Sequence, residues 1–361
     1  MVRIFIRADS AERMGIGHIM RCLALCEVLE HRAKEIVFLC AEISEPLSSL
    51  IVLRGYKVLR LFSPYEIGSL EDAEYTIQHL FQEFGSAPLQ EDYLIIDHYG
   101  IDAVWESVMM RYLARVLVID DLANRPHNCH LLLDSNHYDD METRYNKLVS
   151  ANTIQLLGPG YALLRQEFGR ERNRLNIRSP KTHTNILVCF GGTDPTNETL
   201  KVVKALSGTT QSNKKPMYHL TVILGASNPN IGIISEVCKD LDGIQVLVQP
   251  RSMAEEMRKA DLAICSAGTI TWERYCMGLP ALLIAIADNQ VAVAQQAESM
   301  GLDRYLGESK NVIDADIMNA LIAYMNEDHD FINRSKERVM NLVDGKGAER
   351  VVKALLATER P

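Results

Sequence analysis

The sequence predicts an α/β protein made of two doubly wound, Rossmann-like domains facing across a cleft. Three observations carry that prediction. Short β-branched runs alternate with longer amphipathic stretches, the pattern of parallel strands buried between two helical layers. A polar, basic stretch from Gly169 to Thr182, nearly free of aliphatic residues, interrupts the alternation, which restarts at Asn185. The length, 361 residues, suits two domains at about 100–200 residues each.

Taken in order, Ile4-Phe5-Ile6 reads as the first strand, followed by a glycine turn and a helical pattern from about His18 to Glu30. Ile36–Leu39 and Val58–Leu61 repeat the strand signal, each with a helix-like segment after it. Tyr93–Asp97, a helix around Trp105 to Tyr112, and Val116–Ile119 follow, with shorter strand candidates at Leu131–Leu133 and Thr153–Leu156. This assigns residues 1–168 to an N-terminal domain and 169–183 to a linker whose basic charge reads as a solvated hinge. Residues 184–361 form the second domain, with strands at Asn185–Phe190, Leu220–Leu224, Gln245–Val248, Leu262–Cys265 and Ala281–Ile284. A helix starts at Asn197, and beyond about residue 312 the pattern is all helical, closing with Ala348 to Ala357. The halves are alike in architecture without a repeat in sequence.

Composition excludes several classes. No apolar run approaches the roughly 20 residues of a bilayer span, and charge returns too early in Met1–Asp9 for a signal peptide. A cytoplasmic protein without membrane association is expected. Lys and Arg number 38 against 47 Asp and Glu, a net charge of −9, which argues against nonspecific nucleic-acid binding. The eight cysteines form no CxxC pair and no zinc-finger spacing, so they read as small buried hydrophobes in a reducing compartment. Asp97 and the Asp120-Asp121 pair end two buried strands, but they supply no complete metal shell. No metal and no cofactor are expected.

Ligands of doubly wound sheets bind outside the carboxyl ends of the strands, and four segments fall there. Gly15-Ile16-Gly17-His18 stands between the first strand and the first helix. Its glycines permit a tight turn and close ligand approach, yet the third glycine of a dinucleotide fingerprint is missing. The positive end of the helix dipole disfavours an imidazolium, so a neutral His18 is either a general base or a residue packed on the first turn. Gly191-Gly192-Thr193-Asp194-Pro195 is either a phosphate cradle or a turn capped by Thr193 or Asp194. Ser266-Ala267-Gly268-Thr269 is a strand-to-helix turn able to hold a diphosphate. Glu273, within about a turn of that helix start, either bonds a ribose hydroxyl or complements the helix dipole. Asp288-Asn289-Gln290 opens the next helix, facing the same edge or capping it.

Five segments then occur in a specific order: Arg7-Ala8-Asp9-Ser10 with Gly15–His18, Ile96-Asp97-His98-Tyr99-Gly100, Tyr161–Phe168, Gly191–Asp194, and Asp288-Asn289-Gln290. Across roughly residues 3 to 300 this series resembles the hydrolases of the pseudaminic acid pathway. These remove UDP from UDP-2,4-diacetamido-2,4,6-trideoxy-β-L-altropyranose, have the GT-B architecture, and are similar to the cell-wall glycosyltransferase that makes lipid II. The resemblance implies a monomeric, metal-independent enzyme with a UDP-sugar substrate. It implies that His18, after Gly15 and Gly17, activates water for attack at the anomeric carbon, with inversion and C–O cleavage. It places Tyr99 and Asn289 at the active site, with Asp288 beside them. It sets Gly191, Gly192, Thr193, Ser266, Ala267, Gly268 and Thr269 around the UDP, and the wider GT-B pattern puts Glu273 on the ribose. His98, beside Tyr99, offers a rival base. Three alternatives share the same nucleotide-sugar chemistry. They are a GT-B transferase, a hydrolysing 2-epimerase with acidic acid–base residues, and a non-catalytic nucleotide-sugar binding protein.

Overall fold

A computed structural model of the chain describes residues 2–10, 17–85, 87–175, 184–207, 218–327 and 329–357. They form two compact units, Met1–Gln166 with Lys346–Pro361, and Glu167–Gly345.

The first unit runs β1 (Val2–Ala8), α1 (Gly17–Leu29), β2 (Ala33–Cys40), α2 (Glu45–Leu53), β3 (Lys57–Arg60) and α3 (Leu70–Phe84). It continues with β4 (Tyr93–Asp97), α4 (Ala103–Met109), β5 (Arg115–Ile119), β6 (Leu131–Asp134) and β7 (Ile154–Leu157). Among the described residues the strands form one seven-stranded sheet, β3-β2-β1-β4-β5-β6-β7, with every pairing parallel. Alternation of side chains along β1 feeds two cores. Ile4, Ile6 and Ala8 join α1 and α2 on one face, and Phe5 joins α3 and α4 on the other. Two-faced burial is why the strands are apolar runs rather than alternating ones. Strand order reverses between β1 and β4, where Ala8 pairs with Asp97, so the switch point of this sheet carries Asp9, Asp97 and His98.

The second unit opens with α5 (Gln166–Arg172), whose first residue is the last of unit one. It continues with β8 (Thr184–Cys189), α6 (Glu198–Ser207), β9 (Tyr218–Leu224), α7 (Ile231–Cys238), β10 (Ile244–Val248), α8 (Met253–Lys259) and β11 (Leu262–Cys265). Then come α9 (Ile270–Cys276), β12 (Ala281–Ala285), α10 (Asp288–Ser299), β13 (Arg304–Glu308), α11 (Asp314–Met325) and α12 (His329–Leu342). Its sheet, β10-β9-β8-β11-β12-β13, is again all parallel and reverses between β8 and β11. The edge strand β13, Arg-Tyr-Leu-Gly-Glu, has no aliphatic run and is not among the strands expected from sequence. Asp303 pins its start instead. Fully buried against Arg274, it accepts from Arg274 Nη2 at 2.8 Å, the Tyr275 hydroxyl at 2.7 Å and the Ala281 amide at 2.7 Å.

Two boundaries differ from the sequence expectation. The basic stretch is not a solvated hinge as far as residue 175, because it continues α5 and is built into unit two. Arg172 donates to the carbonyls of Cys276, Val343 and Met340 at 2.7, 3.0 and 2.9 Å, meeting the free carbonyls that end α9 and α12. Glu171 bridges Arg174 and Arg258. Residues 176–183 of the expected linker lie outside the described residues. The last helix, α13 (Gly347–Leu356), was expected in the second domain and packs in the first. Its Ala348, Val351, Val352 and Leu355 complete the core beneath α1. Gly347 permits the contact, since a Cβ there would stand 2.2 Å from the Ala162 carbonyl oxygen. Arg115 Nη1 ties down the end of α13 through the carbonyls of Ala354 and Leu355.

All eight cysteines are buried free thiols. Among the described residues no helix is long and apolar enough to cross a membrane.

Candidate active site

In the first unit the switch point is built on Asp97, the fully buried last residue of β4. His18, in the first turn of α1, and Arg21, three residues on along the same helical face, both converge on it. His18 Nδ1 is 2.5 Å from Asp97 Oδ1, while Arg21 donates Nε to Oδ2 at 2.5 Å and Nη2 to Oδ1 at 2.6 Å. Arg21 Nη1 reaches Asp121 at 2.9 Å, joining the ends of β4 and β5. Burial opposes charge on Asp97, but Arg21 and His18 prevail and hold the carboxyl well below the ordinary carboxylate range. Arg21 Nη2 is also 3.3 Å from His18 Nδ1, yet a carboxylate oxygen at 2.5 Å requires the proton on that nitrogen. With the proton held there, a neutral form of the ring has its lone pair on Nε2.

Tyr99 packs edge-on against this ring, with centroids 4.7 Å apart and planes at 83°. Burial and the Asp121 charge push its phenol above the ordinary tyrosine value, so it keeps its proton. Gly17 is the first residue of α1, and Gly15 lies outside the described residues.

His98, the rival base, is committed elsewhere. Its Nδ1 accepts the Gly100 amide at 2.9 Å, which puts the proton on Nε2, 3.3 Å from Asp9 Oδ2. Asp9 also accepts the Ala41 and Glu42 amides at 2.7 and 3.2 Å and lies 3.3 Å from the fully buried Arg7. Burial raises the Asp9 pKa, but His98, Arg7 and the Glu42 amide outweigh it and lower it below the ordinary value. Arg7, Asp9 and His98 thus join the carboxyl ends of β1, β2 and β4, and among the described residues of this cluster His18 is the histidine with an uncommitted nitrogen.

In the second unit the switch point gathers three turns. Cys189 pairs with Cys265, so the Gly191–Thr193 turn after β8 adjoins the Ser266–Thr269 turn after β11. Gly191 has φ +84°, and the turn after β9 lies directly on its neighbour, since a Cβ on Gly225 would meet the Gly192 oxygen at 2.3 Å. Ser266 and Ala267 are buried, Gly268 is half-buried and Thr269 exposed. Thr269 takes the N-cap position of α9 without a side-chain capping bond. Glu273 is half-buried in the first turn of that helix. Gln290 folds back on the Ile286 amide at 3.1 Å, and its Nε2 is 3.8 Å from an ideal Gly268 Cβ. This sets the exposed Asp288 and Asn289 of α10 beside the Ser266–Thr269 turn.

Asp194 is the residue of this turn that caps α6. It is buried at φ +45° and accepts the Glu198 and Thr199 amides, both at 2.9 Å. Asp194→Ala is expected to lower unfolding free energy by about 0.5–2 kcal/mol, as loss of an N-cap does, measured by urea denaturation.

Arg21, Asp97 and Asp121 form the part of the cluster that the sequence reading had not joined. The spacing of Arg21 from His18 was its available signal, because residues three apart share a helical face.

Two parallel doubly wound sheets, each with its polar residues at the carboxyl switch point, give this chain the GT-B fold. It superposes on the crystal structure of Acinetobacter baumannii MurG with a TM-score of 0.66, covering 98% of this chain and 99% of that one at 13% identity. Residues 186–346 match the glycosyltransferase family 28 C-terminal domain. Two relatives align along most of their length. The UDP-2,4-diacetamido-2,4,6-trideoxy-beta-L-altropyranose hydrolase of Campylobacter jejuni subsp. jejuni is 26% identical over 303 residues, covering 84% of this chain and 98% of that protein. The spore coat polysaccharide biosynthesis protein SpsG of Bacillus subtilis is 25% identical over 355 residues, 98% of each chain.

Proposed function

We propose that this chain is an inverting UDP-sugar hydrolase of pseudaminic acid biosynthesis, taking the diacetamido-trideoxy-altrose substrate named for the Campylobacter relative. The observation that carries the reading is His18, whose Nδ1 is 2.5 Å from the buried Asp97 carboxylate, a contact that in the neutral ring directs the lone pair to Nε2. In the proposed step, Nε2 takes a proton from water as the water oxygen bonds to C1 of the sugar. The C1–O bond breaks and its electron pair leaves with UDP, so no enzyme nucleophile is required. UDP is assigned to the second unit, with Gly191, Gly192, Thr193, Ser266, Ala267, Gly268 and Thr269 around the diphosphate. Amides at helix starts stabilise growing negative charge there. Glu273 is assigned to the ribose, and Tyr99, Asp288 and Asn289 to the sugar.

The test is UDP release from a set of UDP-sugars in H2¹⁸O without added metal. We expect release from the altrose-configured substrate, with label at C1 of the sugar and inverted configuration at early times by NMR. Label in the phosphate would sink C–O cleavage. The match of residues 186–346 to a glycosyltransferase domain favours a second reading, sugar transfer. UDP release that occurs only when an acceptor is supplied would establish transfer and overturn hydrolysis.

A further inference from the structure

Beyond Asp97, the carboxyl ends of the next two strands of unit one hold a second buried acidic group, which no step above uses. Tyr145 is fully buried on the connection between β6 and β7. Its hydroxyl is 3.0 Å from Asp120 Oδ2, just past β5, and 3.0 Å from Asp134 Oδ2, at the end of β6. A phenol has one hydrogen to donate. Two ionised carboxylates facing one hydroxyl in a buried site leave an acceptor unmatched and two like charges close together. The arrangement balances when one carboxyl brings its own hydrogen.

The surroundings say which one. Asp120 sits among cations and donors: Arg125 Nη1 at 2.8 Å, His127 Nε2 at 3.8 Å and the Ala123 amide at 2.9 Å. His127 is itself cationic at neutral pH. Burial works against its charge, but Asp120 and Glu106, the latter 2.7 Å from Nδ1, push it up to about 9. Asp134 has the Asn136 amide at 2.9 Å and, among the described residues, no cation nearer than Arg144 Nε, 3.8 Å away. Arg144 is drawn off by stacking on Tyr138 at 3.8 Å. The remaining charge facing Asp134 is Asp121, which is repulsive.

We propose that Asp134 is a neutral carboxylic acid that donates to the Tyr145 oxygen while Tyr145 donates to the Asp120 carboxylate, a proton-loaded latch holding the 135–153 connection onto β5 and β6. Burial is the main reason the Asp134 pKa is pushed up to about 7, with Asp121 adding to it and Asn136, Arg144 and Tyr145 opposing. The latch adjoins the site, since Asp120 precedes the Asp121 that holds Arg21.

An unfolded aspartic acid titrates near 3.9, so between about 4 and 7 the folded chain binds the extra proton. The Asp134 contribution to stability therefore falls as pH rises through that window and levels off above it. Asp134→Asn preserves a donor to Tyr145 and cannot ionise. Its melting temperature relative to wild type should rise by about 4 °C or more between pH 4.5 and 7.5. The His127 contribution, lost between about 6.5 and 9, is common to both proteins and cancels in the difference. An infrared carboxylic-acid carbonyl band should be present in wild type at pH 6, bleach with a midpoint near 7, and be missing from the variant. A pH-independent difference in melting temperature would overturn the proposal, as would wild-type protein without the acid band, which needs no variant to fold.

Discussion

His18→Ala and His18→Gln are expected to lose turnover by about 10²–10⁴-fold, the usual cost of removing a positioned general base, while UDP affinity stays within about twofold. The two halves of that expectation come from different parts of the chain. His18 stands on α1 in the first unit, whereas the turns assigned to UDP follow β8 and β11 of the second. The glutamine variant is the sharper of the two. Its amide can donate to Asp97 as Nδ1 does and fills much of the same volume, yet it has no lone pair basic enough to accept the proton of water. Replacing shape without basicity separates chemistry from packing. UDP release under saturating substrate reports the first, and calorimetric UDP binding reports the second. Turnover within a few-fold of wild type in His18→Gln would remove His18 as the base. Because both His98 nitrogens are already committed to Gly100 and Asp9, the base would then have to be sought outside this cluster.

The features legible in the sequence were those with local causes. Ile4–Ile6, Tyr93–Asp97 and Leu262–Cys265 declare themselves as strands because both faces of a parallel sheet are buried, so nothing polar interrupts them. The site segments were legible through position, since a glycine-rich turn between a strand and a helix falls at a carboxyl edge wherever that strand sits in the sheet.

What the sequence concealed depends on which partner a side chain meets. The apolar face of α13 is visible as periodicity, but periodicity does not say which of two cores receives it. Gly347 against the Ala162 carbonyl fixes the answer only in three dimensions. Arg172 looked like one more charge in a basic run until its donors met the carbonyls ending α9 and α12. Just before β13, Asp303 substitutes a buried ion pair with Arg274 for the aliphatic run that announces other strands. Asp97 belongs to the same class. A carboxylate at a strand end is common, and its meaning here comes from Arg21 and His18 arriving together from a helix 76 to 79 residues earlier in the chain.

Asp97→Asn follows from that convergence, and its effect should approach that of removing His18. The carboxylate now accepts from Nδ1 and so fixes the tautomer with its lone pair on Nε2. In the variant, the amide oxygen is claimed by the Arg21 fork, and the amide nitrogen turns a donor towards His18. The ring answers by moving its proton to Nε2, where water can no longer give one up. Inverting the tautomer of a base held by a buried aspartate costs on the order of 10²–10⁴ in turnover. The same change removes one partner of a buried ion pair, a loss worth about 3–5 kcal/mol of stability, here moderated by Asp121, which still holds Arg21. Stability and mechanism therefore have to be read separately. Unfolding by urea gives the first, and ¹⁵N NMR of the His18 ring gives the second, with a proton on Nδ1 in wild type and on Nε2 in Asp97→Asn. If turnover falls while the ring keeps its proton on Nδ1, Asp97 acts only by holding α1 against β4. If the proton moves and turnover does not fall, lone-pair direction is not what limits the reaction, and His18 loses its place as base along with Asp97 as the residue that orients it.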